Sequence, residues 1–135
     1  MASLDFALLA EYARVDQAGL ITIVGGGFDR VRVPDQGGVQ QVFVAMRIVL
    51  EEREGDVPFE VKAQSPDNRY KIGVAGTTHR ARGVQPADGK INFIAAVGLA
   101  VPIQMDGRYL VQIVLAGQVV RHLPFVVELT QPESS

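Results

Sequence analysis

The feature that most constrains this chain is a succession of short apolar runs, rich in β-branched residues and cut by clusters of Gly, Pro and Asp. Such runs, bounded by turn formers, read as strands. They fall at 4–15, at 20–24 with 28–33 as its continuation beyond three glycines, and at 39–51, 58–64, 70–75, 91–101, 108–115 and 119–129. Ser65-Pro66-Asp67-Asn68 is a strong turn signal, and Asp106-Gly107 marks another. No convincing amphipathic helix of ten residues interrupts the series. The pattern predicts an all-β fold, a single antiparallel β-sandwich of about eight strands, rather than βαβ units.

Two segments leave alternatives. In 4–15, Leu4, Phe6, Leu8, Ala10 and Tyr12 alternate as in a strand, yet Leu4, Leu8 and Tyr12 also fit one face of a short helix. Residues 76–89 are polar and ambiguous, with room for one edge strand near 79–83. The closing hairpin around Gly117 has two candidate registers. A two-residue loop at Ala116-Gly117 pairs Ile113 with Val120. A three-residue loop pairs Tyr109 with Phe125 and Leu115 with Val119, and is preferred because it gathers more large apolar groups on one face.

Two strands are apolar on both faces. Val42, Val44, Met46, Ile48 and Leu50 line one side of the third firm run, with Phe43, Ala45 and Val49 on the other. In 91–101, Ile91, Phe93, Ala95, Val97 and Leu99 oppose a face containing Ile94, Ala96, Gly98 and Ala100. An antiparallel sheet with one wet face alternates apolar with polar residues. The small second face therefore predicts a close cover, either the first segment folded over as a helix or a second subunit. Composition agrees: 47% of residues are apolar and 21% charged, a low charge for a solitary domain.

The 135 residues suit one domain over 1–130, followed by a polar flexible tail at 131–135. No cysteine is present, which excludes disulfides, thiolate metal sites and cysteine nucleophiles, and favours a reducing, cytoplasmic setting. A net charge of −2 gives no electrostatic reason to expect nucleic acid. No run approaches the roughly 20 apolar residues of a membrane helix. No nucleic-acid partner, membrane or cofactor is expected.

Motifs of chemistry fare poorly against plainer readings. Gly25-Gly26-Gly27 follows a strand, but a phosphate loop needs a helix after it, and Phe28 to Val33 alternates like a strand. A bulge or strand kink is the better reading. Asp16, Asp35, Asp56, Asp67, Asp88 and Asp106 stand singly in turns, without the spacing of a calcium loop. Arg69, Lys71, Arg80, Arg82 and Lys90, with Tyr70 among them, read as a solvated charged edge. His79 and His122 lack the paired spacing of metal ligands. No catalytic or metal-binding residue is assigned. An enzyme would require Asp29, His79 and His122 to converge from separate strands.

Two stretches carry a resemblance. One is Leu9-Ala10-Glu11-Tyr12-Ala13-Arg14-Val15 followed by Gly19-Leu20-Ile21-Thr22-Ile23-Val24-Gly25-Gly26-Gly27-Phe28-Asp29. The other runs from Gly107-Arg108-Tyr109-Leu110-Val111-Gln112-Ile113 to Gly117, closing with Leu123-Pro124-Phe125-Val126-Val127. They resemble a family of small uncharacterised bacterial β-sandwich proteins, a domain of unknown function. The resemblance implies an all-β fold and a bacterial cytoplasm, and it transfers no catalytic residue.

The functional expectation is a non-enzymatic binding or assembly module, homo-oligomeric or bound to a protein partner through an apolar outer sheet face. The alternative is a small-ligand binder with a pocket at one end of the sheets, lined by Tyr12, Phe28, Arg30, Tyr70 and Tyr109.

Overall fold

A computed structural model describes residues 1–34, 38–80 and 85–130. Among the described residues ten strands follow one another: β1 (Ser3–Ala10), β2 (Tyr12–Val15), β3 (Ile21–Val24), β4 (Arg30–Val33), β5 (Gly38–Glu51), β6 (Pro58–Gln64), β7 (Lys71–Thr77), β8 (Lys90–Ile103), β9 (Gly107–Leu115) and β10 (Gln118–Leu129). They form a three-stranded sheet β1-β5-β8, a five-stranded sheet β4-β10-β9-β6-β7 and a two-stranded hairpin β2-β3. The described residues contain no helix, and none long and apolar enough to cross a membrane. The all-β expectation holds, whereas about eight strands and a possible short helix give way to ten strands in three sheets. The tail at 131–135, most of the edge strand expected near 79–83, and the interior of the 34–38 loop lie outside the described residues.

One core joins the two larger sheets. Val42, Val44, Met46 and Ile48 of β5 and Leu99 and Val101 of β8 cluster with Val61 of β6, Val111 and Ile113 of β9 and Phe125 of β10, all buried. These are alternate residues of each strand, as the pleat requires of a face turned inward. Each such side chain stabilises the fold by about 1.5–3 kcal/mol.

The first segment resolves into two strands in two different layers. β1 pairs antiparallel with β5, its register shifting between Leu4 and Phe6. That bulge moves the alternation, so Leu9 rather than Ala10 faces the main core, and both are buried because both faces of β1 are covered. At Glu11 the chain leaves the sheet. The Glu11 amide donates to the carbonyls of Val24 (3.1 Å) and Gly25 (3.3 Å), and the Gly27 amide donates to Leu9 (2.6 Å). β2 and β3 then lie over the outer side of β5 and β8. Ala10, Ala13 and Ala45 form a second buried cluster there, flanked by Leu8, Ile21, Ile23, Phe43 and Ala96. The cover predicted for the small second face is thus the first segment, folded over as a β-hairpin and not as a helix. Alanines at the contact permit the close approach.

The glycine run is a backbone device. Gly25 and Gly27 adopt φ of 61° and 85°, a region L side chains rarely occupy. A Cβ at Gly25 would lie 2.6 Å from the Glu11 side chain. Beyond it the chain crosses to the five-stranded sheet, where β4 runs parallel to β10, Arg30 opposite Val126 and Val33 opposite Leu129. The purely antiparallel expectation fails at this one pair. Phe28 to Val33 does not prolong the preceding strand, because the glycine turn redirects the chain onto another sheet.

The closing hairpin uses both candidate registers in turn. Ala116 and Gly117 have φ of 51° and 82°, so the loop is two residues in a turn of type I′. Leu115 therefore faces Gln118 and Val114 faces Val119, and the preferred pairing of Leu115 with Val119 is corrected at the tip. A register shift between Val119 and Arg121 then restores the other half of the preference, with Tyr109 opposite Phe125.

Candidate functional site

Three of the five aromatic and basic candidates meet at one end of the core. Tyr109 is fully buried at the start of β9 and stacks on its cross-strand partner Phe125, ring centres 5.4 Å apart and planes at 20°. Its hydroxyl donates to the Met105 carbonyl at 2.8 Å, hooking the β8–β9 turn onto the strand. A buried hydroxyl needs such a partner, since an unmade bond there costs about 1–3 kcal/mol. Phe28 packs edge-on against Phe125, centroids 6.1 Å apart. Tyr70 is half-buried beyond Tyr109, and its hydroxyl donates to the Pro102 carbonyl of β8. Burial, and then the neighbouring Tyr109 phenol, push the Tyr70 hydroxyl up to about 12.

The turn before Tyr70 is built around Ser65, whose buried hydroxyl donates to Asp67 Oδ1 (2.8 Å) and accepts from the amides of Arg69 (3.1 Å) and Tyr70 (3.3 Å). The Ser65 hydroxyl, followed by backbone bonding from Arg69, holds the Asp67 carboxyl below the usual carboxylate range. These contacts fix the β6–β7 turn and leave the aromatic end closed by packing. The larger surface hollow nearby, about 360 Å³, is open and lined by Arg108, Leu110, His122 and the 64–68 turn; none of Tyr12, Phe28, Arg30, Tyr70 or Tyr109 contributes to it.

Arg30 and Tyr12 stand elsewhere. Arg30 projects from β4 into an ion pair with Glu128 of β10, which Arg32 Nε also approaches at 3.3 Å. Tyr12 stands on β2 with its ring edge-on to Phe43 of β5, centroids 5.2 Å apart, and remains 45% exposed. Its cross-strand neighbour Val24 is 51% exposed. Gly98 lies opposite Phe43 and is open to solvent. Tyr12, Val24 and Phe43 therefore make an apolar strip where the hairpin ends and the sheet below emerges. Tyr12 was legible in the sequence as an aromatic candidate. Phe43 and Val24 are not legible there as site residues, and Phe43's place on the second face of a doubly apolar strand is the available signal.

Asp29, His79 and His122, the three residues of the enzyme alternative, stand in different surroundings. His79 packs edge-on against Phe93 of β8, centroids 5.2 Å apart. His122 stands beside Gln112 on the outer side of the five-stranded sheet. Asp29 precedes β4, and its backbone carbonyl accepts from the Val126 amide. Among the described residues no three His, Asp or Glu side chains gather as metal ligands do. The expected charged edge is realised only in part: β7 is an edge strand whose charge is Lys71, at its start.

The geometry defines a class, an all-β domain of three sheets whose conspicuous aromatics are engaged in packing, with one outward apolar strip. Residues 5–128 match a family of unknown function, DUF6941, and the chain belongs to that family. Comparison with curated proteins finds no match. Among solved structures 22 chains match. One is the Pseudomonas fluorescens alkylpurine DNA glycosylase AlkC bound to DNA containing an abasic site analog, at 6% identity and a TM-score of 0.49. The match covers 74% of this chain and 27% of the glycosylase, and nothing of that protein's activity carries over.

Proposed function

We propose that this domain is a non-enzymatic assembly module that meets a second copy of itself through the uncovered part of its outer apolar face. The reading takes the two larger sheets as a sandwich and the hairpin as an added outer layer. One observation carries it: Tyr12, edge-on to the half-buried Phe43, stays open to solvent with the exposed Val24 beside it. Contiguous exposed apolar side chains mark contact surfaces, and tyrosine anchors them well because it offers large area at low entropic cost. The hairpin covers Ala45 and its surroundings, and Phe43 is where the face the sequence singled out emerges beside the hairpin's own Tyr12. The reading sets the module in a reducing, cytoplasmic compartment, which a sequence without cysteine suits.

The test is the solution mass by light scattering at high micromolar concentration. The expected result is a mass above one chain, which falls in the Tyr12→Ser/Phe43→Ser variant. A wild-type mass of one chain, or a mass unchanged by the double substitution, overturns the reading. The end-pocket alternative draws no support from an end that Tyr109, Phe125 and Phe28 fill.

A further inference from the structure

The two edges of the five-stranded sheet are built differently. β4 is four residues long and carries Arg30 and Arg32 in ion pairs with Glu128, the charged and short design that discourages strand addition. β7 is seven residues, with six consecutive uncharged ones from Ile72 to Thr77, no proline, and an unbroken register on β6. Among the described residues no strand pairs with its other side. Its core-facing Val74 is 41% exposed although its neighbour on β6, Val61, is fully buried, so the core ends abruptly at this edge.

We infer that β7 pairs antiparallel with β7 of a second copy, Val74 opposite Val74, joining two five-stranded sheets into one of ten. The register follows from two requirements. Continuing the core face across the junction demands that core-facing Ile72, Val74 and Gly76 meet core-facing residues, because directly opposed residues share a face. Gly73 on Gly73, Val74 on Val74 and Ala75 on Ala75 are the central registers that do so. On the solvent face, Lys62 of β6 lies beside Gly73 and Glu60 beside Ala75. Centring on Gly73 sets Lys62 in line with Lys62 of the other copy, and centring on Ala75 sets Glu60 against Glu60. Only Val74 at the centre lines up Lys62 with Glu60 of the other copy, in two symmetric rows. The same register sets Lys71 opposite Thr77 and keeps the two lysines apart. On the core face it sets Ile72 opposite Gly76, large against small.

The space between the charges is open. Gly73 and Ala75 are the residues that separate them, and a trough of about 330 Å³ lies over them, lined at its sides by Glu60, Lys62 and Lys71. Three strand spacings put the two backbones ~14 Å apart. Extended side chains bring the charged heads well inside the ~8 Å over which salt screens such pairs. Within one chain the Glu60–Lys62 pair, at 3.6 Å, is partly open to solvent and contributes little to stability.

This contact is separate from the Tyr12–Phe43 strip and does not depend on it. Its test is charge reversal at Glu60 and Lys62, both on the solvent face, read by sedimentation velocity. Lys62→Glu alone and Glu60→Lys alone each place like charges in both rows and weaken self-association by about tenfold or more. An equimolar mixture of the two single variants restores association, because every row is then a Glu–Lys pair while neither chain keeps its internal one. The exchanged chain Glu60→Lys/Lys62→Glu associates as the wild type does. Single variants of unchanged mass, or a mixture no more associated than its components, overturn the inference and leave the outer-face reading standing. Loss of association only in Tyr12→Ser/Phe43→Ser does the same.

Discussion

Tyr70 joins the β6–β7 turn to the end of β8 through a single hydroxyl, and its ionisation reads that junction directly. The phenol donates to Pro102, and burial holds its pKa at about 12 against an ordinary value of 10.0. The neutral form is the one the fold favours. Stability from this contact is therefore fully present below pH 10 and is lost as the pH rises from 10 through about 12, where the unfolded chain releases the proton more readily. In an alkaline titration followed by phenolate absorbance, one tyrosine is expected to ionise late, and Tyr70→Phe should remove that late step. A late step surviving in Tyr70→Phe would assign it elsewhere. Tyr109 shows the limit of reading residues from sequence. Its place on an inward face followed from alternation with Val111 and Ile113. That its hydroxyl would be satisfied by Met105, leaving it a core residue and not a pocket wall, depends on the shape of a turn that no local pattern encodes.

At the scale of elements, legibility tracked how far local signals agreed. β6 was bracketed by Pro58 and the Ser65–Asn68 turn and alternated cleanly between them, so its limits were plain. The segment 4–15 was not, since its apolar spacing suits a helix as well as a strand. What decides is tertiary: β1 finds the free side of β5, and β2 finds Ala45, which only small residues can approach closely. The hairpin tip at Ala116-Gly117 was visible as a turn, but the shift after Val119 was not, because a bulge answers to packing across the whole sheet. The alanine contact itself is testable. Ala45→Leu inserts three carbons where the hairpin rests and is expected to cost about 1–3 kcal/mol by overpacking. Hydrogen exchange should localise the change, with amides of Tyr12–Val15 and Ile21–Val24 losing protection ahead of those in β9 and β10. Uniform loss across all strands would mean the hairpin is not the element that yields.

For the whole molecule, the proposed surfaces are two self-complementary contacts on one chain. Two isologous contacts close into a tetramer when their twofold axes are perpendicular, and otherwise extend into an open array. The closed arrangement predicts a wild-type mass of four chains, two chains when either contact is broken alone, and one chain when Lys62→Glu is combined with Tyr12→Ser/Phe43→Ser. Multi-angle scattering distinguishes these masses, and a broad distribution growing with concentration would indicate the open array. The doubly apolar strands leave the first segment or a second subunit as the cover, and the chain supplies most of it from its own first 24 residues. Composition reports that a face is covered without reporting by whom.

The hairpin over Ala45 has a consequence for how long the protein survives in solution. Its strands are four residues each, and among the described residues they pair only with one another. Elements with so few buried contacts open at free energies well below that of global unfolding. Each opening uncovers Ala45, Phe43 and Ala96 on a sheet whose own core is still intact. A molecule opened there is nearly native, and loss of protein on storage is therefore expected to follow the rate of that local event, read by hydrogen exchange of β2 and β3, rather than the melting temperature.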